Sequence, residues 1–269
     1  MELFNELEAQ KEQSVEDFLT FIPIYESKMR AARLKSFLRK EIKNIKGKHC
    51  VEAGAGRGIF SEEMLRLGAK SVTAVEQSKT MFEVLKAENK KNRKLNFVHA
   101  SIETYRPAQK ADTLFHEFYG PLVLDETILS LRKLKFRPDT ILPDGGTLWA
   151  MPLFEKEIVK KDEVYNPSWR KALSGALISD LFTHAAFKPD WKIFDWDVHS
   201  RATEFEFTIP ARCEWIALCG EITHEKKSVL KLWQTGNWPV IYTPVNGKTF
   251  RLSFRYSKGY TRVFFTWVK

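Results

Sequence analysis

The segment between residues 49 and 151 alternates short apolar runs with helical periods, and this alternation constrains the fold more than any other feature. Such a pattern is typical of a parallel sheet whose strands are joined by crossover helices. We predict strands at His49–Ala53, 71–75, Leu95–His99, 113–117 and 147–151. We predict helices at 58–67, 79–92 and 122–134. The sequence therefore predicts a doubly wound α/β domain over residues 48–151.

A glycine-rich turn follows the first predicted strand. The chain there reads Val51-Glu52-Ala53-Gly54-Ala55-Gly56-Arg57-Gly58. Glycines let such a turn bring the backbone close to a ligand, with a helix N-terminus behind it. The second predicted strand is followed by Glu76, which lies 22 residues after Gly54 (76 − 54). Because an acid at that strand end can accept both hydrogen bonds of a ribose diol, the pattern predicts a nucleoside at the carboxyl edge of the sheet.

Two nucleoside cofactors compete for this turn. A nicotinamide dinucleotide favours the spacing G-x-G-x-x-G, where the helix start meets a pyrophosphate, whereas this chain has G-x-G-x-G. Glu52 would repel a pyrophosphate and would attract an ammonium or sulfonium group. We therefore expect S-adenosyl-L-methionine as the cofactor. A glycine-rich turn without any ligand is the alternative.

Two further carboxylates flank the loop after the fourth predicted strand. Glu117 and Glu126 are nine residues apart (126 − 117). Two close carboxylates repel each other, so a pocket that they share needs a cation. A planar guanidinium fits, because it can take one carboxylate as a bidentate pair and a second on its other edge. The alternative is that both are solvated surface acids.

Beyond residue 152 the sequence changes character. Residues 166–187 have a helical period, and apolar and polar residues then alternate around 204–209, 251–256 and 261–268. We predict a second domain over 152–269, mainly antiparallel and barrel-like, with a short helical insert. Its many aromatic residues are better explained as core than as a stacking platform for nucleic acid. Residues 1–47 read as a helical segment covering the cofactor site.

Composition and charge limit the classes of partner. Lys and Arg number 43 against 34 acidic residues, a net charge of +9, which permits an acidic partner without requiring one. Three cysteines are too few for a disulfide framework, the six histidines show no metal-ligand spacing, and we expect no metal. We see no apolar run of about 18 residues and no signal peptide, so we expect no membrane partner and a cytoplasmic protein, or a nuclear one in a eukaryote.

At these motifs the chain resembles the protein arginine N-methyltransferases, which are class I S-adenosylmethionine-dependent enzymes. The glycine turn resembles the first motif of the family, and Ala74-Val75-Glu76-Gln77-Ser78 resembles its ribose-binding motif. The segment from His116-Glu117-Phe118-Tyr119-Gly120 to Glu126 resembles the double-glutamate hairpin, with the same spacing of the two acids. The resemblance covers residues 25–151 and returns near Trp238.

The resemblance implies a role for each matching residue. Glu117 and Glu126 would be catalytic, and Tyr119, Asn237 and Trp238 would bind the substrate. The residues implied in cofactor binding are Arg30, Glu52, Gly54, Gly56, Gly58, Glu76, Gln77, Ser101, Ile102 and Glu103. Of these, Arg30 would bind the cofactor carboxylate, with Arg33 as a rival, and 101–103 would contact adenine.

The resemblance also implies a fold and an assembly. The family has a Rossmann-like domain followed by a β-barrel, and it inserts a helical dimerisation arm. Residues 166–187 would be a short version of that arm or a plain covering helix, so a homodimer is one of the expected states.

Three of the positions that depart from the family pattern bear on the chemistry. Glu52 stands where most members have Asp, and Tyr119 replaces a methionine that borders the target nitrogen. Asn237 replaces the histidine of a Thr-His-Trp loop. Since an asparagine does not titrate, a proton relay through that position is lost.

The implied activity is methylation of a guanidino group, in a protein, a peptide or a small guanidine. One alternative is a non-catalytic relative that uses the two domains as a binding module. Another is a class I methyltransferase acting on nucleic acid. We see no Asn/Asp-Pro-Pro-Tyr motif of the kind that such enzymes use for a base amine, so nucleic acid is not the expected partner.

Overall fold

The computed structural model describes residues 27–158, 168–182, 186–257 and 259–268. The described residues up to Glu117, together with Lys133–Pro143, form a first compact unit. Phe118–Arg132 and the described residues from Asp144 onward form a second. The helical predictions for residues 1–26, and for 166–167 and 183–185 of the insert, lie outside the described residues.

The first unit contains a parallel sheet. Its strands are β1 (His49–Ala53), β2 (Ser71–Glu76), β3 (Leu95–His99), β4 (Thr113–His116) and β5 (Thr140–Leu142). Their order is β3-β2-β1-β4-β5, and each neighbouring pair is parallel. The predicted doubly wound sheet is thus confirmed. The order reverses between β1 and β4, which is where open sheets of this kind bind ligands.

Helices cover this sheet, and they begin where the sequence supplies a cap or a glycine. They are α1 (Lys28–Lys40), a 3₁₀ turn at Ile42–Asn44, α2 (Ile59–Arg66) and α3 (Lys79–Asn89). The hydroxyl of Ser27 caps α1, and that of Ser78 caps α3. Helix α1 buries Leu34, Phe37 and Leu38, the i, i+3, i+4 spacing of one helix face. None of the described helices is long and apolar enough to span a membrane.

Two predictions for the α/β segment were wrong, namely the sheet to which the strand at 147–151 belongs and the helix at 122–134. Residues 147–151 are part of β6 (Gly145–Leu153), which pairs antiparallel with strands of the second unit, and the fifth parallel strand is β5 instead. Residues 122–134 do not form an α-helix but turns and a 3₁₀ segment, Ile128–Lys133. Gly120, Pro121 and a left-handed Val123 (φ 73°) form a turn there, which no regular helix can contain.

The second unit consists mainly of antiparallel strands. After β6 come α4 (Glu155–Ile158), α5 (Ser168–Ala172), β7 (Ile178–Ser179), β8 (Trp191–Asp197), β9 (Glu204–Thr208), β10 (Trp215–His224), β11 (Lys227–Lys231), a 3₁₀ turn (Leu232–Gln234), β12 (Ile241–Pro244), β13 (Thr249–Ser257) and β14 (Tyr260–Val268). One sheet has the order β7-β12-β10-β6-β8, with β11 also paired to β10. A second sheet has the order β14-β13-β9. The predicted antiparallel structure is confirmed, while the barrel stays a prediction.

Two predictions for the second unit, one about a helix and one about its boundary, differ from the structure. Among the described residues of 166–187, the predicted continuous helix is observed at Ser168–Ala172 alone, because Gly175 takes a left-handed backbone (φ 83°) and β7 follows. The predicted boundary at 151/152 also differs from the structure. The second unit consists of Phe118–Arg132 and of the described residues from Asp144 onward.

Candidate cofactor and acceptor site

The glycine turn is held against the end of β2. Gly54, Gly56 and Gly58 all have positive φ (67°, 52° and 77°), which glycine adopts without the strain that a Cβ would cause. The backbone N–H groups of Gly54 and Ala55 both donate to the carbonyl of Val75, at 2.9 and 3.1 Å. The turn therefore has a defined shape where β1 ends.

Glu76 joins this turn to the start of α3. Its side chain is buried, with one carboxylate oxygen accepting from Gly56 N (2.8 Å) and the other from Ser78 N (2.7 Å). Glu76, which was predicted to bind a ribose, thus lies beside the glycine turn, which was predicted to bind a cofactor that has no phosphate. The glycine turn and Glu76 lie at the carboxyl ends of the neighbouring strands β1 and β2, which is the position expected for a bound nucleoside.

A small cavity opens where β1 and β4 end. It is lined by Arg30, Glu52, Ala53, Gly54, Ala55, Ile59, Phe60, Phe115 and Glu117. Four of these residues were predicted as site residues from the sequence, and they come from α1, β1, the glycine turn and the end of β4. The cavity is therefore formed by segments far apart in the chain but within one unit.

Glu52 is the buried acid of this cavity. It accepts a hydrogen bond from the hydroxyl of Ser61 on α2. Burial raises the pKa of Glu52 to about 8, against the lowering effect of the Ser61 hydrogen bond. A cation placed in the cavity would favour the ionised form, so this carboxyl group is suited to a sulfonium or an ammonium ligand.

Arg30 and Glu117 form an ion pair in the same cavity. Only 2% of the Arg30 side chain and 15% of the Glu117 side chain are exposed. The guanidinium of Arg30 also lies 5.7 Å from the ring centroid of Phe60. Arg33, the rival candidate, is exposed on α1, which favours Arg30 as the arginine of the site.

The residues predicted for adenine lie after β3. Ile102 is buried, and the Ser101 hydroxyl accepts from Glu103 N at 3.4 Å. Gln77, predicted beside the ribose, has an exposed side chain, and its carbonyl oxygen lies 3.0 Å from His99 Nε2. Glu103 lies 3.9 Å from the Lys133 ammonium.

The predicted substrate residues belong to the second unit. Tyr119 is fully buried, and its carbonyl accepts from the indole N–H of Trp238 at 2.9 Å, so the structure brings these two residues together. Burial raises the pKa of the Tyr119 phenol well above its ordinary value. Asn237 is half-buried in the loop before β12, and its N–H lies 3.5 Å from the Thr235 hydroxyl.

Glu126 differs from Glu117 in its surroundings. Its side chain is exposed, and its backbone carbonyl accepts a hydrogen bond from the hydroxyl of Thr261 on β14. Glu126 therefore belongs to the second unit, whereas Glu117 is the last residue of the first unit's main segment.

Sequence reasoning missed two polar residues near these positions. Ser61 follows the glycine turn closely, and its place in the first turn of α2 was a usable signal for a partner of Glu52. Asp125 accepts from Leu122 N at 2.8 Å, and burial raises its pKa to about 7. A Cβ on Gly120 would lie 2.3 Å from the Asp125 carboxylate, so Asp125 and Gly120 together fix this turn. No spacing rule indicates that contact.

Comparisons with known proteins agree with this fold. Residues 50–122 match a family described as "Methyltransferase domain". A probable protein arginine N-methyltransferase 6.1 of Oryza sativa subsp. indica is 32% identical over 138 residues, which cover 48% of this chain and 36% of the relative. Protein arginine N-methyltransferase 6 of Danio rerio is 28% identical over 148 residues, 51% of this chain and 42% of the relative. The match thus spans about two fifths of these relatives or less.

Among solved structures, one described as "Crystal structure of PRMT6-SAH" is similar to the chain with a TM-score of 0.63. The similarity covers 91% of this chain and 99% of that one, at 12% sequence identity, so it concerns the fold.

The chain contains a methyltransferase domain with a Rossmann-like parallel sheet, and an antiparallel-sheet domain follows it. The methyltransferase domain makes S-adenosyl-L-methionine its cofactor, and the residues present fit it. The glycine turn and Glu76 suit a nucleoside, while Glu52 and Arg30 offer opposite charges for an amino-acid moiety. The chain is similar in sequence to protein arginine N-methyltransferases over about half of its length, and similar in fold to a solved structure over most of it.

Proposed function

We propose that this protein transfers a methyl group to a guanidino nitrogen of arginine, in a protein, a peptide or a small guanidine. The observation that supports this most is the position of Glu117. Its carboxylate lines the same cavity as Glu52 and the glycine turn, so an acid suited to a guanidinium would lie beside the proposed cofactor.

The chain's own residues suggest how the cofactor is held. When bound, S-adenosyl-L-methionine supplies a methyl group on a sulfonium. Glu76 would bind the ribose, and Arg30 would bind the carboxylate of the amino-acid moiety. A guanidinium has five N–H donors, so Arg30 can hold that carboxylate beside Glu117. Once the Glu52 carboxyl group has lost its proton, its negative charge would balance the positive charge of the ligand.

The acceptor would be bound by the two glutamates of the hairpin. We expect Glu117 and Glu126 to hold the guanidino group and to draw its positive charge away from the attacking nitrogen. Positioning and electrostatics would then supply most of the rate. The attacking nitrogen loses a proton after it gains the methyl group, and Glu126, exposed to solvent, is the proposed acceptor of that proton.

A transfer experiment with three acceptor pools tests this proposal. The purified protein is incubated with methyl-labelled S-adenosyl-L-methionine and with cell protein, RNA or small guanidines such as arginine. We expect the label in methylarginine, in the first pool or the third. Label in RNA alone would contradict the proposal. Binding of the cofactor with no label in any pool would favour the binding module instead.

A further inference from the structure

The outward face of the hairpin formed by β13 and β14 presents two exposed aromatic rings. Tyr260 and Phe264 are 45% and 41% exposed. The alternate residues Phe265 and Trp267 point inward, with ring centroids 5.1 and 5.7 Å from that of Phe250. The inward rings form core, as the sequence predicted, whereas the two outward rings contribute nothing to it.

Two arginines lie over these rings. The Arg255 guanidinium carbon is 4.9 Å from the Phe264 centroid, and that of Arg262 is 5.5 Å from the Tyr260 centroid. Arg262 also donates to the Tyr260 hydroxyl at 2.9 Å. Each cation is thus held against a ring, with the positive charge on the exposed face.

The arrangement of the two arginines is costly for the fold alone. Arg255 and Arg262 are direct cross-strand partners, and like charges in that position destabilise a sheet. Among the described residues no carboxylate forms an ion pair with either one. On the same face, Arg251 is paired with Glu204 and Glu206. The face is therefore neutralised at Arg251 and left positive at Arg255 and Arg262.

We propose that this face, defined by Arg255, Tyr260, Arg262 and Phe264, binds single-stranded nucleic acid. Arginines that lack a carboxylate attract phosphates, and exposed rings offer stacking surfaces for unpaired bases. An acidic peptide would pair with the arginines but would bring no planar base to stack on the rings. The proposal goes beyond methyl transfer, and it revises the expectation from sequence that nucleic acid is not a partner.

Fluorescence anisotropy with a labelled single strand of about a dozen thymidine nucleotides tests the proposal at about 50 mM salt. The double variant Arg255→Gln/Arg262→Gln should bind about tenfold or more weakly, with a smaller dependence of affinity on salt. The variant Tyr260→Ser/Phe264→Ser should also bind about tenfold more weakly, with the salt dependence unchanged. Arg251→Gln is the matched control on the same face, and we expect a smaller loss of affinity for it than for the double arginine variant, because Arg251 is already paired with Glu204 and Glu206.

Three results would overturn the proposal. The first is that the wild-type protein shows no saturable binding. The second is that Arg251→Gln loses as much affinity as the double arginine variant. The third is that polyglutamate displaces the labelled strand as effectively as the unlabelled single strand does. Circular dichroism of each variant shows that it is folded, since all five side chains are on the surface.

Discussion

Glu117 and Glu126 are nine residues apart, yet their surroundings contrast. Glu117 is nearly buried and forms an ion pair with Arg30, inside the cavity of the first unit. Glu126 is exposed and belongs to the second unit, which holds it through a backbone hydrogen bond with Thr261. The first acid is therefore part of the lining of the cavity, whereas the second reaches solvent. Substitutions at the two positions should separate these roles.

Glu117→Gln should have the largest effect, because it removes a negatively charged partner of a buried cation. We expect loss of turnover and a decrease of about 3 kcal/mol in the free energy of unfolding. Denaturant unfolding measures the decrease. Glu88→Gln is the control, since the exposed Arg57–Glu88 pair should contribute about 1 kcal/mol or less.

The same variant tests the role of Arg30. If Arg30 binds the carboxylate of the cofactor, saturating cofactor should restore part of the lost stability of Glu117→Gln. A thermal shift on cofactor addition that is no larger than in the wild-type protein would count against this role.

Glu126→Gln should reduce turnover strongly while leaving stability unchanged. We expect about a hundredfold lower kcat with the acceptor, because a charge that acts on the reacting group is lost. The free energy of unfolding should change by about 0.5 kcal/mol or less, as for other exposed residues. Steady-state methyl transfer and denaturant unfolding measure the two quantities. Unchanged kcat would refute the assigned role, and Glu204→Gln, on the same unit, should leave kcat unaltered.

Gly58→Ala should weaken the cofactor turn of the first unit by about 2–4 kcal/mol. The new Cβ would meet Leu85 Cδ1 at 2.6 Å, and the residue has a left-handed backbone. Gly47→Ala is a matched control, since Gly47 has a similar φ (73°) and open space around it. It should cost only about 1 kcal/mol. Equal losses of stability in the two variants would show that the contact with Leu85 does not matter.

Glu52 should make cofactor affinity depend on pH. Because its pKa is raised to about 8 and a cationic ligand favours the ionised form, affinity should rise by up to about tenfold per unit between pH 6 and 8. Glu52→Gln should bind more weakly and without this dependence. Titration calorimetry in buffers of different ionisation enthalpy would detect the released proton. A wild-type affinity that does not change with pH would show that Glu52 does not interact with the positive charge of the cofactor.

The same shift has a consequence for stability. The folded protein holds the Glu52 proton up to about pH 8, while the unfolded chain releases it near 4.5. The folded state therefore binds more protons across this window, and the contribution of Glu52 to stability falls as pH rises through it. In Glu52→Gln that fall should be absent.

The sequence predicted the cofactor half of the molecule better than the other half. A glycine turn and an acid after the next strand reflect local backbone demands, so Gly54, Gly56 and Glu76 could be found by spacing alone. The ion pair of Arg30 with Glu117 joins residues 87 positions apart, and only the packing of α1 onto the sheet brings them together.

Errors arose where local pattern and long-range pairing disagree. Residues 147–151 have the apolar run of a buried parallel strand, but β6 is buried because β10 and β8 flank it in the other unit. Periodicity reports burial and does not identify the partner strand. Residues 122–134 have apolar residues at helical spacing, and the turn fixed by Gly120 and Asp125 excludes a helix there.

A crystal structure of the protein with S-adenosylhomocysteine and an arginine-containing peptide would test the roles of the two glutamates most directly. We expect carboxylate oxygens of both Glu117 and Glu126 at about 3 Å from guanidino nitrogens of the peptide. A guanidino group bound elsewhere, or bound with Glu126 still in solvent, would contradict the assignment.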